Sequence, residues 1–270
     1  MSDSDGDATN DDATDDDATD DVTDDNSTDD DASHGLHVID RFADGIGWVA
    51  YPDEPMQRAS HAIAIANEEA RDDDGTGGVP DVWVIDPVDP PGEDGADRLD
   101  ALLADLGDVA GVVCCLDRHK RDAAAVATRH DVAVWIPEWM TGVAAELDAP
   151  VERFGPRLAD TGFEAIRVKN TSMPPWQEVA LFDGSTLIVP EAVGTNGLFL
   201  AAGEGLGVHP ALRPFPPRKP LRGLDPDRIL VGHGEGIHEH AGDRLADTLA
   251  GARRRAPSAY LNALRAVIGS

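Results

Sequence analysis

Val112-Val113-Cys114-Cys115-Leu116-Asp117-Arg118-His119-Lys120-Arg121-Asp122 is the stretch on which the fold turns. Small and β-branched apolar residues stop at six polar ones, five of them formally charged and the sixth a histidine. Alanine and valine then recur from Ala123 to Ala127. A buried strand that empties into a polar loop and then a helix has this pattern. In open α/β layers, chemistry collects at the carboxyl ends of such strands. The loop 117–122 is therefore the first candidate site.

Upstream, His37–Phe42 and Gly47–Tyr51 flank the turn signal Asp44-Gly45 and predict a hairpin. His61–Ala66 and Val82–Pro87 predict two more strands, the latter ending at Asp86 before prolines that forbid continuation. Arg71–Gly78 is a polar turn. Leu99, Leu102, Leu103 and Leu106 recur at helical spacing, with Gly107 as a stop. Val132–Pro137 predicts the strand after the 123–129 helix. The second half repeats the rhythm, with strands at Phe163–Val168, Glu178–Phe182, Thr186–Glu191 and Arg228–Gly234. Two closing helices are expected, Arg244–Arg254 and Ser258–Val267. A long Gly/Pro/Arg connection covers Gly203–Pro220.

Charge narrows the function. The chain of 270 residues carries a net charge of −30, and residues 1–33 contribute fifteen Asp with no Lys or Arg. That segment cannot bury apolar surface and is expected to be a disordered tail ahead of one domain over residues 34–270. The remaining sequence is acidic too, and Lys120, Lys169 and Lys219 are its only lysines. Abundant Asp with Arg favoured over Lys suits a high-salt cytoplasm. Nucleic acid is an unsuitable partner for such a surface. No secretory pattern or membrane-length apolar run is visible, so a soluble cytoplasmic protein acting on a small molecule is expected. Cys114 and Cys115 are adjacent on one strand, where side chains point to opposite faces, and so are expected as free, buried thiols. Nothing in the sequence fixes the oligomeric state.

The ordered set of strand ends resembles the metallo-β-lactamase superfamily over about residues 37–255. Ile85-Asp86-Pro87 is similar to its first motif. Leu116–Asp122 falls where the family has T-H-x-H-x-D-H. Leu187–Glu191 stands where a strand ends in Gly-Asp, and Val231-Gly232-His233-Gly234 is similar to the late Gly-His-Gly. The resemblance implies a four-layer αββα sandwich and a hydrolase using one or two metal ions. It also implies Asp117, His119, Asp122, Glu191 and His233 as donors, with Asp86 anchoring the loop. The departures are large. Asp117 replaces the first His, Arg121 the ligand Asp and Asp122 the last His, and Glu191 replaces the bridging Asp. Asn170-Thr171-Ser172-Met173 offers no third-motif His.

Two chemistries follow. A carboxylate-rich donor set would suit Mn²⁺ or Mg²⁺ better than Zn²⁺. Alternatively, Arg121 stands in for the ion, bridging Asp122 or Glu191 through paired hydrogen bonds and leaving the metal absent or weakly bound. Either site could serve a hydrolase acting on an ester- or thioester-like bond through Asp117, His119, Arg121 and Asp122. The alternative, favoured by Arg121 in a ligand position, is a non-catalytic descendant of the fold that binds a small ligand or a partner protein. His238 and His240 are expected at the surface, at the entry to a helix, and Trp135, Trp139 and Trp176 in the core or at a pocket mouth.

Overall fold

The computed structural model describes residues 35–66 and 78–268. The tail at 1–33 and nearly all of the Arg71–Gly78 turn lie outside them. A seven-stranded sheet is laid down in chain order: β1 (His37–Phe42), β2 (Gly45–Val49), β3 (Ala59–Ile65), β4 (Asp81–Ile85), β5 (Asp108–Val113), β6 (Val134–Pro137) and β7 (Val151–Phe154). The pairs from β1 to β4 are antiparallel and those from β4 to β7 parallel. The change coincides with the first crossover helix, α1 (Gly92–Leu106), followed by α2 (Ala123–Arg129). A parallel pair needs such a crossover, whereas tight turns serve the meander before it.

The second sheet has the order β13-β10-β9-β8, from β8 (Glu164–Ser172), β9 (Pro175–Phe182), β10 (Thr186–Val189) and β13 (Arg228–Val231). A small ribbon, β11 (Val193–Gly194) with β12 (Gly207–Val208), lies in the connection between them, ahead of the short helix α3 (Arg218–Leu221). The long helix α4 (Ala241–Ile268) closes the fold.

Period-two alternation in the second sheet sorts its side chains between two cores. Val179, Leu181, Ile188 and Leu230 join the cluster shared with the first sheet, α1 and α2. Their neighbours Ala180, Leu187, Val189, Ile229 and Val231 join the cluster that contains Leu221 of α3 and Leu245 and Leu249 of α4. The order of layers is helix, sheet, sheet, helix, the expected four-layer αββα sandwich.

Two expectations are corrected. The closing helices are one, running unbroken through Pro257. A proline inside a helix costs about 3 kcal/mol, but Leu245, Leu249, Ala252, Ala256 and Ala259 are buried on both sides of it. Past the proline Ala259 is buried while Leu261 and Leu264 are exposed, so the packed face reaches about half a turn beyond it. Strand β7 was not foreseen, because Val151-Glu152-Arg153-Phe154 has exposed charges at its centre.

Candidate functional site

Both sheets deliver their parallel strand ends to one rim. Val189 of β10 is level with Val231 of β13, so Glu191 and His233 emerge side by side two residues later. Gly232 lets them approach: a Cβ there would collide with the Pro190 carbonyl oxygen, which is backbone and cannot yield. Gly232→Ala is expected to separate Glu191 from His233 and to cost roughly 2 kcal/mol or more through overpacking, measured by urea unfolding. On the other sheet, Asp86 follows β4 at φ 46°, a left-handed conformation that costs a non-glycine residue free energy. Ser60 Oγ holds that turn by donating to the Asp86 carbonyl (3.0 Å) and accepting from Val88 N (2.8 Å). The Asp86 carboxylate accepts from Cys115 N (2.8 Å) and from His119 Nδ1 (3.0 Å).

After β5 the chain crosses between the sheets. Leu116 bridges Glu178 of β9, and Asp117 N donates to Gln177 O (3.0 Å). The polar loop is thereby fixed against the second sheet, beside Glu191.

Glu191 is the hub. His233 Nε2 lies 3.2 Å and His119 Nε2 3.5 Å from its Oε2. His209 Nε2 lies 3.3 Å and Arg118 Nη2 3.7 Å from its Oε1. The imidazole tautomers follow from their second partners. His119 Nδ1 faces the acceptor Asp86, and His233 Nδ1 donates to the Met56 carbonyl (3.0 Å). His209 Nδ1 instead accepts from Ala211 N (3.2 Å), so its proton is on Nε2 and is given to Glu191. Aromatic rings pack around these groups. Phe199 stacks on His233 and meets His209 edge-on, Trp176 meets His209 edge-on, and Arg118 lies 4.7 Å over the Trp176 ring.

The ionisation pattern follows. Burial alone would lower the His119 imidazole, but Asp86 and Glu191 flank it and raise it to about 9. Burial would raise the Glu191 carboxyl, but the hydrogen bonds and charges of His119 and His233 hold it well below the usual range. Burial lowers His209 to about 4 against the pull of Glu191. Beneath them, burial pushes Glu178 up to about 7, although its carboxylate accepts from Ala192 N, Trp176 Nε1 and Glu191 N.

A protonated His119 stabilises the metal-free fold. Its folded pKa of about 9 exceeds the ordinary imidazole value of 6.5, so the contribution is complete below pH 6.5 and lost as pH rises through about 9. The shift corresponds to about 3 kcal/mol. In EDTA-treated protein, the stability difference between wild type and His119→Gln is expected to shrink by that order between pH 6.5 and 9.5. A pH-independent difference in urea unfolding would refute the assignment.

Of the residues singled out in the sequence, His119, Glu191 and His233 come together, their donor atoms all within 4.8 Å, and Asp86 backs them. Asp117 does not join: its Oδ2 accepts from Gln177 N (3.1 Å) as part of the crossing. Asp122 stands at the start of α2 with Oδ2 on Asp89 N (3.3 Å). Arg121 is exposed and bridges neither Asp122 nor Glu191; the guanidinium facing Glu191 belongs to Arg118. His238 is not simply a surface residue, since its Nε2 donates to Asp40 Oδ1 (2.8 Å), which also takes Gly236 N and so pins the loop after His233. His209, Arg118 and Glu178 had not been singled out. Glu178 could have been found from its place two residues from Trp176 and Ala180, on one strand face. His209 had no such signal.

The residues fit one divalent ion. Two imidazoles whose Nδ1 atoms are engaged elsewhere present Nε2 to one carboxylate oxygen, the carboxylate- and carbonyl-backed arrangement of metal-binding histidines. Donors around a tetrahedral zinc stand about 3.4 Å apart, close to the 3.2 and 3.5 Å found here. With Asp117 and Asp122 outside the set, the preference for a hard ion weakens, because two imidazoles and a carboxylate suit zinc.

These sheets, helices and strand-end histidines make up the metallo-β-lactamase fold. A beta-lactamase domain protein from Burkholderia ambifaria shares it at TM-score 0.54 and 13% identity, covering 82% of this chain and 73% of that one. VMB-1 shares it at TM-score 0.52 and 10% identity, covering 84% and 99%. No family model and no curated protein matches the sequence. Among the described residues, no helix is long and apolar enough to cross a membrane.

Proposed function

We propose that the chain is a hydrolase of ester- or thioester-like bonds with a single divalent-ion position, held by His119 Nε2, His233 Nε2 and Glu191 Oε2. The observation that carries this reading is the convergence of those three atoms within 4.8 Å while Asp86 and the Met56 carbonyl occupy the outer ring nitrogens. An ion there supplies Lewis acidity and makes water a better nucleophile at neutral pH. The chain's own groups do the rest. Asp86 orients His119, neutral His209 holds a proton on Nε2 at the rim, and Arg118 offers positive charge to a developing oxyanion. Phe199 and Trp176 exclude water. A second ion is disfavoured, because His209 already takes up Glu191 Oε1 and the Arg118 guanidinium puts a positive charge 3.7 Å from it.

The position of Arg118 also favours a second reading, a metal-free binding protein in which His119 and Arg118 neutralise Glu191. Dialysis against zinc followed by elemental analysis separates the two. About one zinc per chain, with zinc-dependent cleavage of nitrophenyl esters or thioesters, supports the hydrolase. Less than ~0.2 per chain supports the metal-free protein.

A further inference from the structure

We infer that the cleft beside His119 receives an oxyanion, a carboxylate or phosphate carried by the ligand, on Arg118 and Arg121. The inference rests on the reading above for where the reacting centre lies. Arg58, Arg118 and Arg121 line one small cleft together with Asp86, His119 and Asp122. Three arginines along one opening stand out in a chain with a net charge of −30.

Their partners show which are committed. Arg58 is spent on Glu54, with two hydrogen bonds of 2.8 Å. Asp86 is spent on His119 and the Cys115 amide, and Asp122 on the Asp89 amide. Arg118 is held in place without being satisfied. Its guanidinium lies over Trp176 and donates to Pro175 O at 3.3 Å, while Asp117 and Glu191 stand at 3.5 and 3.7 Å. Stacking on an aromatic face fixes the plane of the fork and leaves N–H groups free for a planar or tetrahedral oxyanion. Arg121 is exposed, and its charge acts at a distance on Glu54, which is already hydrogen-bonded to Arg58. The enclosed space is small, about 20 Å³, room for about one water, so the anion sits at the mouth of the cleft on the exposed forks. Bound there, the anion places the rest of the molecule over His119 and Glu191, so anionic substrates are selected over neutral ones.

The test uses EDTA-treated full-length protein at constant ionic strength, titrated with inorganic phosphate, acetate or chloride and followed by calorimetry and thermal unfolding. Phosphate or acetate is expected to bind and to raise the melting temperature beyond the chloride control, and the tighter of the two names the group. Arg118→Gln and Arg121→Gln should each weaken binding about tenfold or more, while Arg153→Gln, an exposed site on β7, should leave it unchanged. Shifts equal to those in chloride, or undiminished in both cleft variants, overturn the inference. Anion binding without zinc uptake defeats the hydrolase reading and leaves this one standing. Zinc uptake and ester cleavage without anion binding do the reverse.

Discussion

Glu191→Gln is expected to reduce bound zinc from about one per chain to less than ~0.2 and to abolish zinc-dependent hydrolysis. Gln has nearly the same volume, so the loss reports charge and donor chemistry and not packing. Glu191 supplies the carboxylate oxygen of the three-donor set and is the common partner of His119, His209, His233 and Arg118. Loss of groups that only orient ligands costs 10–100-fold in metal affinity, and removal of a ligand should exceed that. A readout independent of metal accompanies it. His119 loses one of the two carboxylates that raise it to about 9, so its ring resonances in EDTA should titrate at lower pH than in wild type. Full zinc occupancy in the variant would eliminate Glu191 as a ligand.

Arg213→Met is expected to cost about 3–5 kcal/mol, the range for removing one partner of a buried ion pair. Arg213 is fully buried and its partner Glu204 nearly so. The guanidinium also donates to Val208 O (3.1 Å) and Phe199 O (2.6 Å), tying down the residues that carry Phe199 and His209 onto Glu191. For a domain of this size the loss corresponds to a melting point lower by roughly 10 °C. Adding Glu204→Leu should recover part of it, since the uncompensated carboxylate is then gone, although Glu204 also accepts from Ala201 N and Arg255. A variant within 1 kcal/mol of wild type would remove Arg213 from this role.

Several parts of the site were legible in the chain because they are local. Asp86, Glu191 and His233 each come within two residues of the end of an apolar strand, and a strand that meets a polar residue at its carboxyl end announces a rim position. His119 sits in a charged loop after β5 and was legible for the same reason. His209 follows the two-residue strand β12 inside a Gly/Pro-rich connection, where no period exists to place it. Its contact with Glu191 depends on Arg213 holding the loop from inside. Arg118 and Arg121 are three residues apart on one loop, and motif alignment pointed to the second. The Leu116–Glu178 bridge turns the loop so that the first faces Glu191. The break expected before Pro257 ignored the packed face that Ala256 and Ala259 continue on either side of it.

The amino-acid order alone determined most strands and helices, since their periods and the residues that end them act over a few neighbours, and the layering was implied by the resemblance of the strand ends. Which charges meet was settled only in three dimensions. Hydrogen bonds and metal coordination require contact within a few ångströms, and that is set by the level pairing of β10 with β13 and by the crossing at Leu116, both of which join residues tens of positions apart.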